Sequence, residues 1–213
     1  MGTKEQRIGE QAKDFLAKRP WLNEICDSKN TKELKDKYDT WASTYDADLE
    51  KDWSFMPATI TQTLTQLLDN INVAILDAGA GTGLVGEALF KQGYKNLTAV
   101  DLSEKMLALA KEKHVYQDLH QGNLEEPIFG DSTSFDVIIA AGVFAYSHAG
   151  SKVLDNLFSL LRDKGLFLLT IRQDYRQQMQ SALAHLSWSL VSEQTFSMYD
   201  DAILMYLLTF RKD

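Results

Sequence analysis

The sequence predicts an α/β fold, with helices on both faces of a mostly parallel β-sheet. Short apolar runs that are typical of buried parallel strands alternate with segments of helical periodicity. Two β-prone stretches, 188–199 and 202–210, end the sequence, and Asp200 and Asp201 join them. Such a short connection favours an antiparallel pair. Alternating strands and helices that finish in a hairpin indicate a three-layer sandwich.

The strands are predicted from unbroken apolar runs. The run 73–76 lies directly before a glycine-rich turn, and 135–142 is the clearest strand because it is apolar on both faces. The stretch 115–119 is more polar than the others, so we expect it near an edge of the sheet. Before the terminal hairpin, the predicted strands are 73–76, 97–101, 115–119, 135–142 and 166–171.

The helices are predicted from apolar residues that recur every three to four positions. Pro57 suits the first turn of one helix, and Ser103 is well placed to cap another. Residues 163–165 predict a turn before the last parallel strand. The segments with helical periodicity are 4–18, 38–49, 57–68, the residues that follow the glycine-rich turn, 103–110, 153–161 and 173–186.

The segment 38–49 carries its aromatic residues on one face of the predicted helix. Tyr38, Trp41 and Tyr45 fall at positions i, i+3 and i+7. An amphipathic helix packed on the core would explain this spacing. Tyr and Trp also combine an apolar ring with a polar group, and such residues often line the edge of a binding site. Spacing alone leaves both interpretations open.

Length and composition indicate one soluble domain. We expect a single domain over 1–213, with a helical N-terminal cap (1–70) and an α/β core (71–213). The net charge of −8 disfavours strong sequence-independent binding to nucleic acid. Cys26 is the only cysteine, which excludes an intrachain disulfide. The polar N-terminus and the short longest apolar run, 137–146, predict a cytoplasmic protein without membrane contact.

The glycine-rich turn is the strongest local signal. Asp77 ends the first predicted strand, glycines follow at 79, 81, 83 and 86, and helical periodicity begins at Leu84. A strand, a glycine turn and a helix N-terminus bring backbone N–H groups against a bound ligand. Glycine allows a positive φ and a close approach of the backbone to that ligand. The turn therefore predicts a site for a nucleotide-like cofactor.

Two kinds of cofactor fit parts of this turn. Gly81, Gly83 and Gly86 satisfy the G-x-G-x-x-G dinucleotide fingerprint, and Asp101 lies about 20 residues further on, where a ribose-binding acid belongs. That interpretation predicts a nicotinamide cofactor. The wider pattern has an acid, Asp77, at the strand end and glycines at every second position. It resembles motif I of the class I S-adenosylmethionine-dependent methyltransferases.

Other segments resemble the same family, over residues 38–210. Asp101 matches the acid that binds both ribose hydroxyls, and a carboxylate can accept two hydrogen bonds at once. Asn123 stands where the family usually has Asp, and its amide can accept from the adenine amino group without adding charge. The aromatic segment resembles the N-terminal signature of the small-molecule branch, which includes the methyltransferase-like 27 group and ubiquinone-methyltransferase-like proteins.

The resemblance implies a Rossmann-like three-layer sandwich. Its sheet would be mostly parallel and seven-stranded, with the last strand antiparallel, and a helical N-terminal extension would precede it. The implied cofactor is S-adenosyl-L-methionine. The residues implied in binding it are Trp41, Tyr45, Asp77, Gly79, Ala80, Gly81, Gly83, Asp101, Leu102, Met106, Asn123, Leu124, Ala141 and Gly142.

No motif identifies a nucleophile or a metal site. Neither G-x-S-x-G nor H-E-x-x-H occurs, and the four histidines show no ligand spacing. His148 follows the fourth predicted strand at its carboxyl end, where ligands bind in open α/β sheets. It is therefore our first candidate for a general base, and Tyr146 is the second.

We expect a methyltransferase that transfers a methyl group to a small molecule. A nicotinamide-dependent oxidoreductase and a non-catalytic S-adenosylmethionine-binding protein are the alternatives. The sequence specifies neither the acceptor nor an oligomeric state.

Overall fold

The computed structural model describes residues 24–25, 27–130, 132–144, 149–197 and 204–213. The helix predicted over 4–18 and the catalytic candidates Tyr146 and His148 lie outside the described residues. From residue 27 to the first strand, the structure describes three helices, namely α1 (Thr31–Trp41), α2 (Tyr45–Trp53) and α3 (Phe55–Leu67).

Strands and helices then alternate along the chain. The first half comprises β1 (Ile75–Ala78), α4 (Leu84–Lys91), β2 (Leu97–Asp101), α5 (Glu104–Glu112) and β3 (Asp118–Gln121). The second half comprises β4 (Phe135–Phe144), α6 (Ser151–Leu160), β5 (Leu161–Arg172), α7 (Gln173–Gln178), α8 (Gln180–His185), β6 (Trp188–Ser197) and β7 (Leu204–Lys212). The Ser103 side chain caps α5 by accepting from the Met106 N–H, which confirms that prediction.

The seven strands form one sheet in the order β3-β2-β1-β4-β5-β7-β6. Strands β1 to β5 pair in parallel, and β7 is antiparallel to both of its neighbours. This confirms the predicted fold class, including the antiparallel last strand, and the polar β3 lies at an edge as expected. Strand order reverses between β1 and β4, and ligands bind beside the carboxyl ends of the strands at such a point.

Apolar residues cover both faces of the sheet. Along β4, Val137 and Ile139 face the cluster that contains α3 and α4, whereas Ile138 and Ala140 face the cluster that contains α6. Side chains of a strand alternate between faces, so an unbroken apolar run is what a strand buried on both sides requires. The buried sheet provides a fixed base for the loops at its carboxyl edge.

The aromatic segment 38–49 is two helices, so the prediction of a single helix is wrong. Between Trp41 and Tyr45 the chain forms a turn in which the Thr44 N–H donates to the Trp41 carbonyl at 3.0 Å. The Thr44 hydroxyl also donates to the Asp48 carboxylate at 2.8 Å, at the beginning of α2. Serine and threonine favour helix ends over interiors because their hydroxyls bond locally to neighbouring groups.

Two further boundaries differ from the prediction. The predicted turn at 163–165 is a bulge inside β5, where β5 advances five residues, from Leu161 to Leu166, while β4 advances two, from Phe135 to Val137. The segment 173–186 is interrupted at Met179, which separates α7 from α8. Both differences arise because pairing and packing with neighbouring elements override local propensity.

Tyr116 packs beneath the turn between β1 and α4. It belongs to the segment between α5 and β3, and its ring occupies the space that a Cβ on Gly86 would need. A Cβ on Gly83 would lie 3.0 Å from the same ring. The Tyr116 hydroxyl donates a hydrogen bond to the Asp77 carboxylate at 2.6 Å. Glycine at 83 and 86 therefore makes room for this ring.

Gly86→Ala is expected to lower the free energy of unfolding by about 1–3 kcal/mol, because overpacking forces the anchored Tyr116 ring or α4 to move. Chemical denaturation measures the effect. Gly130→Ala is the matched control, since a Cβ there would meet no atom within 4 Å. Equal stability of the two variants would contradict the packing of Tyr116 against Gly86.

Candidate active site

A cleft opens at the carboxyl ends of β1, β2 and β4, where the strand order reverses. Residues 79–83, which we call the glycine turn, form one wall. The φ angles of Gly79, Gly81 and Gly83 are 73°, 55° and 86°, a left-handed backbone that a Cβ would strain. The N–H groups of Gly79 and Ala80 donate to the Val100 carbonyl at 2.8 and 3.0 Å. The glycine turn is thereby fixed to the end of β2.

Asp101 ties the glycine turn to β2 a second time. One carboxylate oxygen accepts from the Gly81 N–H at 2.8 Å, and the other accepts from the Ser103 N–H at 2.8 Å. Each oxygen retains a lone pair, so the carboxylate can still accept from a ligand diol. Burial raises the pKa of Asp101, and the backbone N–H groups lower it.

Asp77 is a second buried carboxylate beside the cleft, with 2% of its surface exposed. The pKa of Asp77 is raised to about 7, chiefly by burial and also by the nearby Asp101, whereas hydrogen bonds from the Tyr116 hydroxyl and the Gly86 N–H act to lower it. Two acids in a weakly hydrated place repel one another and attract a cation. This side of the cleft is therefore suited to a positively charged ligand group.

Tyr38 from α1 and Tyr45 from α2 form the roof of the cleft. The Tyr45 ring faces the glycine turn, 3.9 Å from the position that a Cβ on Gly81 would occupy. Trp41 packs edge-on against Tyr45, with ring centroids 4.5 Å apart, and its indole N–H donates to Asp48 at 2.7 Å. Trp41 supports the roof from outside and does not line the cleft.

The residue after each roof tyrosine is an aspartate that reaches the core. Asp39 accepts a hydrogen bond from the Ser103 hydroxyl, at the beginning of α5. Asp46 accepts one from the Thr82 hydroxyl in the glycine turn and pairs with Lys113 at 3.3 Å. We call Asp39–Ser103 and Asp46–Thr82 the two latches. They attach the roof to the same elements that form the walls of the cleft.

Comparisons with known proteins identify the family. Residues 76–169 match the family model described as "Methyltransferase domain". The chain is 32% identical over 161 residues to a malonyl-[acyl-carrier protein] O-methyltransferase of Priestia megaterium, across 73% of this chain and 57% of that protein. It is 30% identical over 157 residues to methyltransferase-like protein 27 of Homo sapiens, across 70% of this chain and 64% of that protein. Residues 76–169 therefore form a methyltransferase domain, and both relatives are methyltransferases by name.

A solved structure has the same class I methyltransferase fold. It is the 1,6-didemethyltoxoflavin-N1-methyltransferase of Burkholderia thailandensis, with bound 1,6-didemethyltoxoflavin and S-adenosylhomocysteine. The TM-score is 0.65 over 84% of this chain and 87% of that chain, at 19% identity. At this identity the likeness concerns the fold. The present chain spans less than two thirds of the length of the two curated relatives.

Most of the residues implied by the resemblance surround the cleft. Asp77 and Ala80 instead line a small pocket that adjoins the cleft behind the glycine turn. Gly83 faces Tyr116, and Trp41 lies outside the roof. The ten that line the cleft itself are Tyr45, Gly79, Gly81, Asp101, Leu102, Met106, Asn123, Leu124, Ala141 and Gly142.

Other lining residues escaped the sequence analysis. Tyr38 carried a signal, because its spacing placed it on the same face as Tyr45. Leu34 carried none, because it lies in a polar stretch that has no clear periodicity. The remaining ones follow β3 (Gly122 and Glu125), lie near the end of β4 (Val143), or lie before and within α6 (Ala149 and Val153).

The charged side chains at the cleft are acidic in the part of the chain that the structure describes. Asp101 and Glu125 line it, and Asp77 lies behind the glycine turn. Within the same residues, no three His, Cys, Asp or Glu side chains are arranged to hold a metal ion. No described helix is both long and apolar enough to cross a membrane.

Asp77→Asn is expected to stabilise the free protein at neutral pH. A carboxyl whose pKa is higher in the folded state contributes stability that is present below its ordinary pKa of 3.8 and is lost as the pH rises to about 7. Asparagine does not ionise and loses nothing. The variant's advantage in free energy of unfolding should be near zero at about pH 4 and reach a few kcal/mol above about pH 7. Denaturation at a series of pH values measures it, and a pH-independent difference would contradict the buried charge.

Proposed function

We propose that the chain is an S-adenosylmethionine-dependent methyltransferase that acts on a small molecule. The observation that carries the proposal is a cleft that joins a left-handed glycine turn, an acid at the end of β2 and an aromatic roof. This combination suits a nucleoside with a cationic tail, because the carboxylate matches a diol, apolar side chains match a base, and buried acids attract a cation. The curated relatives are named as methyltransferases.

The residues present fit the nucleoside part of S-adenosyl-L-methionine. Asp101 would bind the ribose hydroxyls through the lone pairs that its two backbone partners leave. Leu102, Met106 and Leu124 would contact the adenine. The side-chain amide oxygen of Asn123 accepts from the Glu125 N–H at 3.0 Å. Its second lone pair would accept from the adenine amino group.

The amino-acid part of the cofactor would lie between the glycine turn and the end of β4. Ala141 and Gly142 belong to an irregular end of β4, where the Gly142 N–H donates to the Thr170 hydroxyl at 2.7 Å instead of extending the ladder. The backbone there can approach a ligand closely, because Gly142 has no Cβ and a φ of 78°. Asp77 would attract the ammonium group from behind the turn.

When bound, this cofactor supplies a methyl group on a good leaving group, so the protein needs no covalent intermediate. The chain's own part is to align the acceptor with the methyl carbon and to exclude water. Alignment of this kind can be worth about 7–11 kcal/mol of the barrier, and the roof would exclude water. If the acceptor atom carries a proton, His148 is our first candidate for the base and Tyr146 the second.

We propose a small molecule as the acceptor. The Burkholderia enzyme, similar in fold, is named for a small molecule, 1,6-didemethyltoxoflavin. The aromatic signature of residues 38–46 resembles the small-molecule branch of the family. A net charge of −8 disfavours a nucleic-acid acceptor, whose phosphates require basic side chains.

A nicotinamide-dependent oxidoreductase is the weaker alternative. The dinucleotide fingerprint requires its third glycine for close packing of the helix on the strand. Here the Tyr116 ring fills the space beside that glycine, Gly86. The Tyr116 hydroxyl donates to Asp77, and Asp77 belongs to the methyltransferase pattern. A non-catalytic S-adenosylmethionine-binding protein would bind the same cofactor without turning it over. A measurement of product formation is therefore needed to distinguish it from an enzyme.

Cofactor binding provides the first test. Calorimetry is expected to detect S-adenosylmethionine and S-adenosylhomocysteine but not NAD. Asp101→Ala should weaken S-adenosylhomocysteine binding at least tenfold, because hydrogen bonds to a charged group contribute about 1.5–3 kcal/mol each. Asp118→Ala is the control, since this aspartate is exposed on β3. Unchanged affinity in the Asp101 variant would contradict the ribose assignment.

Turnover provides the second test. A screen of small metabolites that monitors S-adenosylhomocysteine release is expected to find an acceptor. Cofactor binding without release for any acceptor class would favour the non-catalytic alternative. Binding of NAD in preference to both sulfur cofactors would favour the oxidoreductase.

The latches predict that the roof controls cofactor release. Asp39→Ala and Asp46→Ala each remove hydrogen bonds that attach α1 or α2 to the core, and each should speed S-adenosylhomocysteine dissociation about fivefold or more. Hydrogen exchange over 38–49 should also be faster in both variants. Asp36→Ala is the control, because Asp36 is exposed on α1. Unaltered dissociation in both latch variants would mean that ring packing alone holds the roof.

A further inference from the structure

The Asp77 carboxylate has an unusual partner for a buried acid. Its side-chain donor is the Tyr116 hydroxyl, at 2.6 Å, and the backbone N–H of Gly86 also lowers its pKa. In the described part of the chain no basic side chain forms an ion pair with it. Buried acids are ordinarily paired with a cation or neutralised. A tyrosine hydroxyl stabilises the anion by one hydrogen bond and adds no charge. Asp77 therefore remains available to a cation that arrives with a ligand.

Tyr116 is held in place from the opposite side. Its ring fills the space that the missing side chains of Gly83 and Gly86 leave, and a Cβ on Gly83 would meet both this ring and Ala110 on α5. The ring cannot rotate away without opening a cavity beneath the glycine turn. The absence of side chains at Gly83 and Gly86 thus allows the ring to hold its hydroxyl group in this position.

We propose that Tyr116 is a positioning residue, whose buried hydroxyl holds the Asp77 carboxylate behind the glycine turn as the anion that binds the ammonium group of the cofactor, so that cofactor affinity falls when Asp77 takes up a proton. The inference rests on the proposed function, because it requires a cofactor with a cationic amino-acid end. It adds a residue that the resemblance does not assign, and it makes cofactor binding sensitive to pH.

The groups that face Asp77 are few. Tyr116 faces it from the segment before β3, Asp101 from β2, and Tyr45 from α2 across the small pocket. Asp46, Glu87 and Lys113 form a separate charged group, in which Lys113 lies 3.3 Å from Asp46 and 3.6 Å from Glu87. Lys113 therefore has two acidic partners of its own and contributes no ion pair to Asp77. The neighbouring acid Asp101 opposes ionisation of Asp77, and the tyrosine hydroxyl favours it.

The raised pKa of Asp77 makes the pH dependence of cofactor binding measurable near neutral pH. Burial raises the pKa of Asp77 to about 7. If only the ionised form binds, apparent affinity is reduced by the ionised fraction. S-adenosylhomocysteine should therefore bind about tenfold more weakly at about pH 6 than at about pH 8.

The experiment is calorimetric titration of the full chain with S-adenosylhomocysteine between about pH 6 and about pH 8.5. The parallel ligand is 5′-methylthioadenosine, which keeps the nucleoside and the sulfur but lacks the amino-acid end. Its affinity should stay constant over this range. A histidine or Asp101 acting on the nucleoside would instead make both ligands pH-dependent.

Tyr116→Phe tests the hydroxyl, because it keeps the ring in the space beside Gly86. The loss of one hydrogen bond to the anion should move the midpoint of the pH dependence upward by about one unit. At about pH 7 this should weaken S-adenosylhomocysteine binding about fivefold. Tyr94→Phe is the matched control, since the buried Tyr94 hydroxyl has no hydrogen-bond partner among the described residues. Asp77→Asn should bind weakly and equally at every pH.

The outcomes separate this inference from the proposed function. If S-adenosylhomocysteine does not bind at any pH, the proposed function fails and this inference fails with it. If it binds with the same affinity across the range, or with the same pH dependence as 5′-methylthioadenosine, the role of Asp77 is overturned while the proposed function stands. An unshifted midpoint in Tyr116→Phe overturns the role of Tyr116. If the Tyr116→Phe variant does not fold, the pH dependence of binding by the wild-type protein still tests the role of Asp77.

Discussion

The hydrogen bond from the Gly81 N–H to the Asp101 carboxylate fixes the geometry on which the cleft depends. It joins β2 to the turn after β1, two segments that are 20 residues apart in the chain. The second Asp101 oxygen accepts from the Ser103 N–H. The Ser103 hydroxyl oxygen caps α5, and the hydroxyl donates to Asp39 in one of the two latches. One carboxylate thus sets the positions of a wall of the cleft, a helix N-terminus and, through Ser103, part of the roof.

This arrangement places two acids close together in a poorly hydrated region, and that has a cost. Burial raises the pKa of both Asp77 and Asp101, and the nearby Asp101 also contributes to the raised pKa of Asp77. A structural role alone would be served as well by neutral side chains. The retained charges are understandable if a ligand brings a diol to one acid and a cation to the other. Function and stability therefore oppose each other at this site.

The sequence was informative where a signal is local. Unbroken apolar runs identified the buried strands, and the polarity of 115–119 placed β3 at an edge. Contacts between distant segments left no such signal. The partnership of Tyr116 with Gly86 spans 30 positions, and no local pattern predicts that Asp39 and Asp46 bond to Ser103 and Thr82. The break before Tyr45 was missed because periodicity over 38–49 fits one helix almost as well as two.

The four glycines near β1 show why a glycine motif alone could not name the cofactor. A Cβ on Gly79 would overlap Val143, and Cβ atoms on Gly83 and Gly86 would meet the Tyr116 ring. A Cβ on Gly81 alone would point into the cleft, with the Tyr45 ring as its nearest neighbour at 3.9 Å. Three of the glycines thus accommodate the protein's own side chains, and Gly81 leaves open space beneath the Tyr45 ring. A match to G-x-G-x-x-G treats every glycine alike. The atoms that surround each glycine show whether it makes room for a side chain of the protein or borders the cleft.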